Sequence, residues 1–173
     1  MDQVFTVLEL QDPAPRQATA MAKVIPALWL GSIGYERYNH STEFARRLVD
    51  AGVERLIDVR ELPISRRRGY AKTALGEAMS AVGIEYVHVR ALGNPKPFRD
   101  LYKSGRAAEG REHYGRFLLE ERRETLDDLV ELLREKPSAL MCVEHDPVTC
   151  HRTVIVDALR DELGLDLDVA EIV

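Results

Sequence analysis

The chain has 173 residues, of which 45% are hydrophobic and 31% charged, and its net charge is −5. This length is enough for one well-filled core and short for two, and the composition is typical of a folded globular protein rather than a disordered one. No apolar run approaches the ~20 residues that a membrane-spanning helix needs, so we expect no membrane contact.

The N-terminal segment, residues 1–23, lacks the basic start and the small-residue cleavage site of a secretory signal. We expect it to be a loosely structured leader, in which Val4 to Leu10 could add a short strand at a sheet edge. The two cysteines are then reduced thiols, and a cytoplasmic location is expected. No repeat or linker follows, so residues 24–173 are predicted to form a single α/β domain.

The charge is unevenly distributed along the chain. Between Arg60 and Arg116 there are 12 Lys and Arg residues but only 6 Asp and Glu residues, within a chain that is acidic as a whole. A basic middle region indicates an anionic ligand held at one place. The alternative is that solvated surface charges cluster there by chance.

Five apolar runs are predicted to be β-strands that alternate with helices. The strands are Val24 to Leu30, Arg55 to Val59, Ile84 to Val89, Ser138 to Val143 and Asp166 to Val173. This alternation predicts a mostly parallel sheet of about five strands with helices on its faces.

The helices are predicted from apolar residues at helical spacing and from glycines that end them. They are a helix from Ser41 to Gly52, one from Lys72 to Val82, a longer one with Leu119, Leu126, Leu129, Val130 and Leu133 on its apolar face, and one from Cys150 to Leu163. The stretch from Arg90 to about Glu109 has no convincing periodicity and is predicted to be a long functional loop.

In open parallel sheets, ligands bind beyond the carboxyl ends of the strands, so these ends carry the candidate site residues. The first end contains Gly31 and Gly34, which indicate a tight turn, followed by Tyr35, which either stacks on a ligand or packs in the core. The third glycine and the acidic partner of a dinucleotide-binding motif are missing, so no nicotinamide or other cofactor is expected.

The second strand end carries Asp58 and Arg60, which lie on one face of the predicted strand. An acid at the end of an apolar strand is costly to bury without a partner. Two interpretations remain open: a structural ion pair between Asp58 and Arg60, or a functional pair in which Asp58 is a catalytic carboxylate and Arg60 binds the substrate or its phosphate.

A basic run follows this strand, with Ser65 before three adjacent arginines, Arg66, Arg67 and Arg68. Neighbouring guanidinium groups repel one another and are favoured where a phosphate or carboxylate neutralises them. We therefore expect substrate or phosphate binding here, with a solvated charge run as the alternative.

The third strand end is the most specific stretch of the chain. Glu144 shares a strand face with Cys142, and Cys150, His151 and Arg152 follow at the start of a predicted helix. The helix dipole and the neighbouring basic side chains favour a thiolate at Cys150. Cys142, inside an apolar strand, is interpreted as a small buried hydrophobic residue.

The third strand end also carries possible metal ligands. The spacing of Cys142, His145, Cys150 and His151 matches no common zinc motif, and adjacent residues on a helix point in different directions. We therefore expect no metal.

At these stretches the chain resembles an uncharacterised bacterial and archaeal family, domain of unknown function 488. The matching segments are Ser32 to Tyr35, Asp58 to Gly69, Glu85 to Gly93 and the Cys150-His151-Arg152 triplet. The resemblance covers roughly Leu28 to Leu159, and the sequence departs from the pattern at Glu36. It implies a Rossmann-like three-layer α/β sandwich with a polar pocket, and it implies no particular reaction.

The leading functional hypothesis is a hydrolase that acts on a nucleic acid or a nucleotide, with cleavage of an N-glycosidic bond as in the glycosylases of DNA repair. Asp58 and Glu144 would stabilise the positive charge that develops on the sugar and activate water. The basic run would contact phosphates, while Tyr102 and Tyr114 of the long loop would cover or stack on a base.

Two alternatives come from other classes of function. One is thiol catalysis, such as sulfur or phosphoryl transfer, with Cys150 as nucleophile, His151 as acid or base and Arg152 as anion clamp. The other is binding of a nucleic acid or nucleotide without catalysis. The sequence leads to no prediction of the oligomeric state.

Overall fold

The computed structural model describes residues 27–173. Its five β-strands form one sheet in which all neighbours are parallel, in the order β3-β2-β4-β1-β5. The strands are β1 (Leu28–Gly34), β2 (Arg55–Asp58), β3 (Glu85–His88), β4 (Ser138–Cys142) and β5 (Leu167–Glu171). The predicted parallel α/β sheet is therefore confirmed.

Helices cover both faces of the sheet. The front face is covered by α1 (Ser41–Asp50) and α2 (Lys72–Ser80), and the back face by α4 (Ala107–Glu121), α5 (Arg123–Glu135) and α6 (Arg152–Asp157). A further helix, α3 (Lys96–Lys103), packs against α4. The result is the Rossmann-like three-layer sandwich that the family resemblance implies.

Two hydrophobic clusters form the core, one on each face of the sheet. Side chains alternate along each strand, so Ile57 and Leu140 face the back helices, while Leu56 and Met141 face α1 and α2. Because both faces are covered, the central strands are apolar on both sides, as is usual for parallel sheets. Each fully buried Leu or Ile contributes about 1.5–3 kcal/mol to the free energy of unfolding.

The first strand differs from its prediction in a way that affects the site. It extends to Gly34, so Gly31 and Gly34 lie within β1 rather than in a turn beside a ligand. A Cβ atom on Gly34 would lie 1.8 Å from the carbonyl oxygen of Glu144. Only glycine therefore lets the end of β1 pass so close to the segment that follows β4.

The prediction of a long loop from Arg90 to Glu109 was wrong. This stretch contains a 3₁₀ turn at Arg90–Leu92, then α3, and then the start of α4. The stretch contains Pro95 and Pro97. They lie at the N-cap and in the first turn of α3, where a helix tolerates proline because those N–H groups have no intrahelical acceptor.

Two other helices also differ from their predicted bounds. The predicted longer helix is two helices, α4 and α5, separated at Arg122, whose φ of −130° is not helical. The predicted helix from Cys150 begins instead at Arg152, and α6 continues into a π-helical segment, Ala158–Glu162.

The leader and the strand predicted at Val4 to Leu10 lie outside the described residues. Organisation as one domain from residue 24 stays a prediction. Within residues 27–173, none of the helices combines the length and apolar composition that crossing a bilayer would require.

The end of β2 is held by a buried ion pair. Asp58 is completely buried, and Arg60 donates to its two carboxylate oxygens, with a closest Nη2–Oδ2 distance of 2.6 Å. The Tyr86 hydroxyl donates to the same carboxylate at 2.6 Å, and burial together with this bond raises the pKa of Tyr86. These contacts favour the structural interpretation of Asp58 over the catalytic one.

We predict that Asp58→Asn lowers the free energy of unfolding by about 3–5 kcal/mol, because it leaves the Arg60 guanidinium buried without its counter-charge. Urea denaturation measures this loss. The control is Asp168→Asn, since Asp168 is an exposed acid on the edge strand β5. A loss in Asp58→Asn no larger than in the control would contradict the structural role.

Candidate functional site

A cavity of about 150 Å³ opens beyond the carboxyl ends of β2 and β4. Cys142, Glu144 and His151 line one side of it, and Arg60 and residues of α3 line the other. This is where ligands bind in open parallel sheets. A wider surface groove of about 900 Å³ runs past Arg90 and Phe117, but it contains none of the predicted site residues.

The end of β1 holds the segment that carries Glu144. The Tyr35 N–H donates to the Cys142 carbonyl at 3.2 Å, and the Glu36 N–H donates to the Val143 carbonyl at 3.0 Å. The Glu36 carboxylate accepts the N–H of His145 at 2.6 Å. Glu36, where the sequence departs from the family pattern, thus anchors the loop beside the site.

The short turn before α6 places the side chains of Cys150 and His151 close together. The Asp146 carboxylate accepts the Val148 N–H, and a 3₁₀ turn leads to Cys150 in an extended conformation. His151 is the first residue with helical dihedral angles. The expectation that Cys150 and His151 point apart was wrong, because Cys150 precedes the helix rather than belonging to it.

Four side chains with metal-binding or acid–base chemistry meet at this turn. The Sγ atom of Cys142 lies 3.1 Å from the Glu144 carboxylate and 3.7 Å from His151 Nδ1, and the Sγ atom of Cys150 lies 3.9 Å from the same Nδ1. One ligand atom from each of the four side chains lies within 4.8 Å of all the others. Cys142, interpreted from the sequence as a core residue, is a full member of this group, which we call the Cys–His–Glu cluster.

A backbone carbonyl fixes the orientation of the His151 ring. Its Nε2 atom lies 2.9 Å from the Val59 carbonyl oxygen. A carbonyl can only accept, so Nε2 carries a proton and donates it. The other nitrogen, Nδ1, therefore faces the two sulfur atoms.

Arg152 lies completely buried beneath the cluster. Its Nε donates to Cys150 Sγ at 3.3 Å, and one Nη donates to the Glu144 carbonyl at 2.8 Å. No carboxylate among residues 27–173 forms a salt bridge with it, and its other Nη has no partner there. Because a guanidinium stays charged in proteins and a buried charge needs compensation, the geometry calls for a thiolate at Cys150.

The electrostatics of the cluster agree with this charge assignment. Burial alone would raise the pKa of the Cys150 thiol, but the hydrogen bond with Cys142 and the positive charges of His151 and Arg152 hold that pKa well below its ordinary value. Hydrogen bonding with Cys150, together with burial, raises the pKa of Cys142 well above its ordinary value. Burial and the Cys150 charge also raise the pKa of Glu144.

The opposite wall of the cavity is basic and carries unpaired polar atoms. Arg99 and Lys103 come from α3, and Arg99 forms a salt bridge with Glu61 at 2.7 Å. Within the described part of the chain, neither Asn94 Oδ1 nor the Tyr102 hydroxyl has a hydrogen-bond partner. Burial raises the pKa of Tyr102 to about 12, so its hydroxyl is neutral near pH 7. Asn94 and Tyr102 both line the cavity.

The predicted site residues thus divide into two groups. Glu144, His151 and Arg60 line the cavity, and Cys150 and Arg152 lie directly behind it. Asp58 does not line it, because it faces the front side of the sheet with Leu56. The cavity therefore contains one of the two carboxylates proposed from the sequence.

The remaining predicted residues lie outside the cavity. Tyr35 is 4% exposed and stacks on Tyr70 at 4.5 Å, while its hydroxyl contacts Ser65. The three arginines of the basic run, Arg66, Arg67 and Arg68, are exposed, and none of them lines the cavity.

Tyr114 does not cover the site as the sequence suggested. It is completely buried on α4 and donates its hydroxyl to the Leu92 carbonyl at 2.6 Å.

Sequence reasoning missed Asn94, Arg99 and Lys103, because the helix that carries two of them was predicted to be a loop. The apolar residues Phe98, Leu101 and Tyr102, at helical spacing, were the available signal.

Comparison with known proteins places the chain in a family. The model of the family described as Domain of unknown function DUF488 matches residues 40–159, which is more than half of the chain. No curated protein and no solved structure matches it. The matched segment begins just before α1 and ends in the helical segment after α6, so it contains every member of the Cys–His–Glu cluster. The chain therefore belongs to the DUF488 family, as its sequence motifs suggested.

Proposed function

We propose that the chain is a hydrolase that cleaves the N-glycosidic bond of a nucleotide or a nucleic acid, with Glu144 as its acid–base group. The observation that carries this proposal is a partly buried carboxylate, with a raised pKa, at a cavity whose opposite wall is basic. A carboxylate whose pKa is raised toward the working pH of the enzyme accepts and returns protons efficiently.

Hydrolysis of an N-glycosidic bond needs few groups. As the bond between sugar and base breaks, positive charge develops on the sugar, and a nearby carboxylate stabilises it. Glu144 would take a proton from the attacking water, whose oxygen forms the new bond to the sugar carbon. The same proton would then pass to the departing base.

The size of the cavity limits what it holds. Its volume of about 150 Å³ is below the ~300–1,000 Å³ usual for drug-sized ligands, so it suits one ring system rather than a whole nucleotide. Asn94 and the Tyr102 hydroxyl supply unpaired polar atoms for the edge of a base. A base in duplex DNA would have to leave the stack to reach them, as in DNA-repair glycosylases.

The phosphates of the substrate would then lie outside the cavity. Lys103 and Arg99 at its wall are placed for the phosphate of the target nucleotide. Arg66, Arg67 and Arg68 are exposed on the segment that leaves the cavity at Leu62, and they would contact flanking phosphates of a longer strand. A nucleic acid would therefore engage both sets of cations, and a free nucleotide only the first. We also propose that the protein is located in the cytoplasm.

Thiol catalysis by Cys150 is the second candidate, supported by the contact between its sulfur and the Arg152 guanidinium. Cys150 is only 1% exposed and does not line the cavity, however. A substrate would reach this sulfur only after the cluster opens. Glu144 needs no such movement, and we therefore favour the carboxylate mechanism.

We predict that Glu144→Gln lowers kcat by about 10²–10⁴-fold, since the amide cannot accept the proton of water. The assay incubates the protein with nucleotides and with oligonucleotides that carry modified bases, and it detects released base and abasic sites. The base form of Glu144 is the ionised one, so the wild-type rate should fall as the pH drops through its pKa. Because burial raises that pKa, the fall should begin at a higher pH than for an exposed glutamate.

Glu54→Gln is the matched control, because Glu54 is an exposed glutamate at the opposite end of the sheet, just before β2. It should retain the wild-type rate. Release of base by Glu144→Gln at the wild-type rate would exclude the proposed role of this carboxylate. Failure of the wild-type protein to release base from any of these substrates would count against the reaction itself.

We also predict that substitutions in the two sets of cationic side chains affect short and long substrates differently. Arg99→Gln or Lys103→Gln should raise KM about tenfold for a mononucleotide and for an oligonucleotide, through loss of one charged hydrogen bond. Arg66→Gln and Arg68→Gln should raise KM only for the oligonucleotide and should reduce its dependence on salt. Lys72→Gln, at the start of α2, is the control. Equal effects of all four substitutions on the mononucleotide would contradict the assignment.

A further inference from the structure

We propose that the Cys–His–Glu cluster is a zinc site in which Cys142, Cys150 and His151 are the three protein ligands and Glu144 lies beside an open fourth position. The site is independent of the N-glycosidic reaction, because it is defined by the positions of four side chains and of the groups that hold them.

The distances within the cluster match tetrahedral coordination. With Zn–S of about 2.3 Å and Zn–N of about 2.0–2.1 Å, sulfur and nitrogen ligands of one zinc ion lie about 3.6 Å apart. The observed separations between His151 Nδ1 and the two Sγ atoms are 3.7 and 3.9 Å. These two separations therefore need to shorten by only a few tenths of an ångström, and the two Sγ atoms lie within 4.8 Å of each other.

The support behind the ligands is also that of a metal site. Metal-binding histidines commonly donate their second ring N–H to a carbonyl or carboxylate, which directs the free nitrogen at the ion. His151 does this through Nε2, which donates to the Val59 carbonyl at 2.9 Å. Arg152 donates to Cys150 Sγ at 3.3 Å, and such a bond stabilises a thiolate ligand.

The donors carry the charge that a zinc ion requires. Two thiolates neutralise Zn²⁺, while the buried Arg152 guanidinium donates to Cys150 Sγ at 3.3 Å and, through one Nη, to the backbone carbonyl of Glu144 at 2.8 Å. Cys142 and Cys150 are both buried and unpaired, so neither is used in a disulfide. Two thiolates and an imidazole are a donor set that suits zinc better than the hard cations Mg²⁺ and Ca²⁺.

The fourth position faces the cavity. Cys142, His151 and Glu144 line the cavity, whereas Cys150 lies behind them. Catalytic zinc sites have three protein ligands and leave the fourth position to water, whose pKa the metal lowers. In this arrangement Glu144 would accept a proton from zinc-bound water, the role of the non-ligand glutamate beside the Cys₂His zinc of the nucleobase deaminases.

The expectation of no metal rested on linear spacing. Cys142 comes from the end of β4, whereas Cys150 and His151 come from the turn before α6, so the donors meet through the fold rather than through a compact motif. The positions of the donor atoms in the fold therefore favour a metal site that their spacing along the chain does not indicate.

The test is the zinc content of the full chain after equilibration with Zn²⁺ and removal of free metal. We expect about one zinc per chain by elemental analysis. Replacement by Co²⁺ should produce the absorption of a tetrahedral ion with thiolate ligands. Wild-type protein that retains no zinc, or whose Co²⁺ complex lacks the thiolate bands, overturns the proposal whatever its activity.

Substitutions then identify the ligands, and circular dichroism confirms that each variant is folded. Cys142→Ser, Cys150→Ser and His151→Gln should each lose most of the zinc, while His40→Gln, an exposed histidine before α1, should keep it. Glu144→Gln should also keep it, and loss there would overturn the three-ligand arrangement. Hydrolytic activity that survives chelation in a zinc-binding protein would exclude zinc from the reaction and leave the site itself intact.

Discussion

The Cys–His–Glu cluster is built around one buried positive charge that has no carboxylate partner among residues 27–173. Arg152 is the largest fully buried side chain in the described structure, and its guanidinium contacts Cys150 Sγ and two backbone carbonyls. Leaving a charge uncompensated in a protein interior costs several kcal/mol. The fold therefore places a thiolate beside it, and that thiolate lies at the centre of the Cys–His–Glu cluster. The proposed zinc site builds directly on this pairing.

The sheet topology brings the other groups to the same point. Because β4 lies between β1 and β2, its carboxyl end is flanked by Tyr35 and Glu36 on one side and by Val59 on the other. The end of β1 holds the segment that carries Glu144, and the Val59 carbonyl orients His151. Asp58 does not line the cavity, but its ion-pair partner Arg60 does, in the wall opposite the cluster.

Much of this architecture could be predicted from the sequence, because strand and helix periodicity depend on which side chains must be buried. Glu144, His151 and Arg60, which the strand ends singled out, line one cavity in the structure. The sequence offers Cys142 as a possible metal ligand but favours a core residue, since an apolar strand gives no sign that a thiol at its end faces other donors. The role of Asp58 was ambiguous for a similar reason. The sequence does not show that its carboxylate accepts hydrogen bonds both from Arg60 and from Tyr86 of the neighbouring strand β3. The helix α3 was hidden by its prolines, and with it the basic wall of the cavity.

The most direct test of this account is the protonation state of Cys150 in the folded, chelator-treated protein. The S–H stretching band in the infrared spectrum reports each protonated thiol separately from other groups. We predict that the wild-type protein shows a band from Cys142 alone, which disappears in Cys142→Ser, and that Cys150→Ser leaves the spectrum in this region unchanged. A second band that Cys150→Ser removes would show a neutral thiol beside Arg152 and contradict the charge pairing on which the site is built.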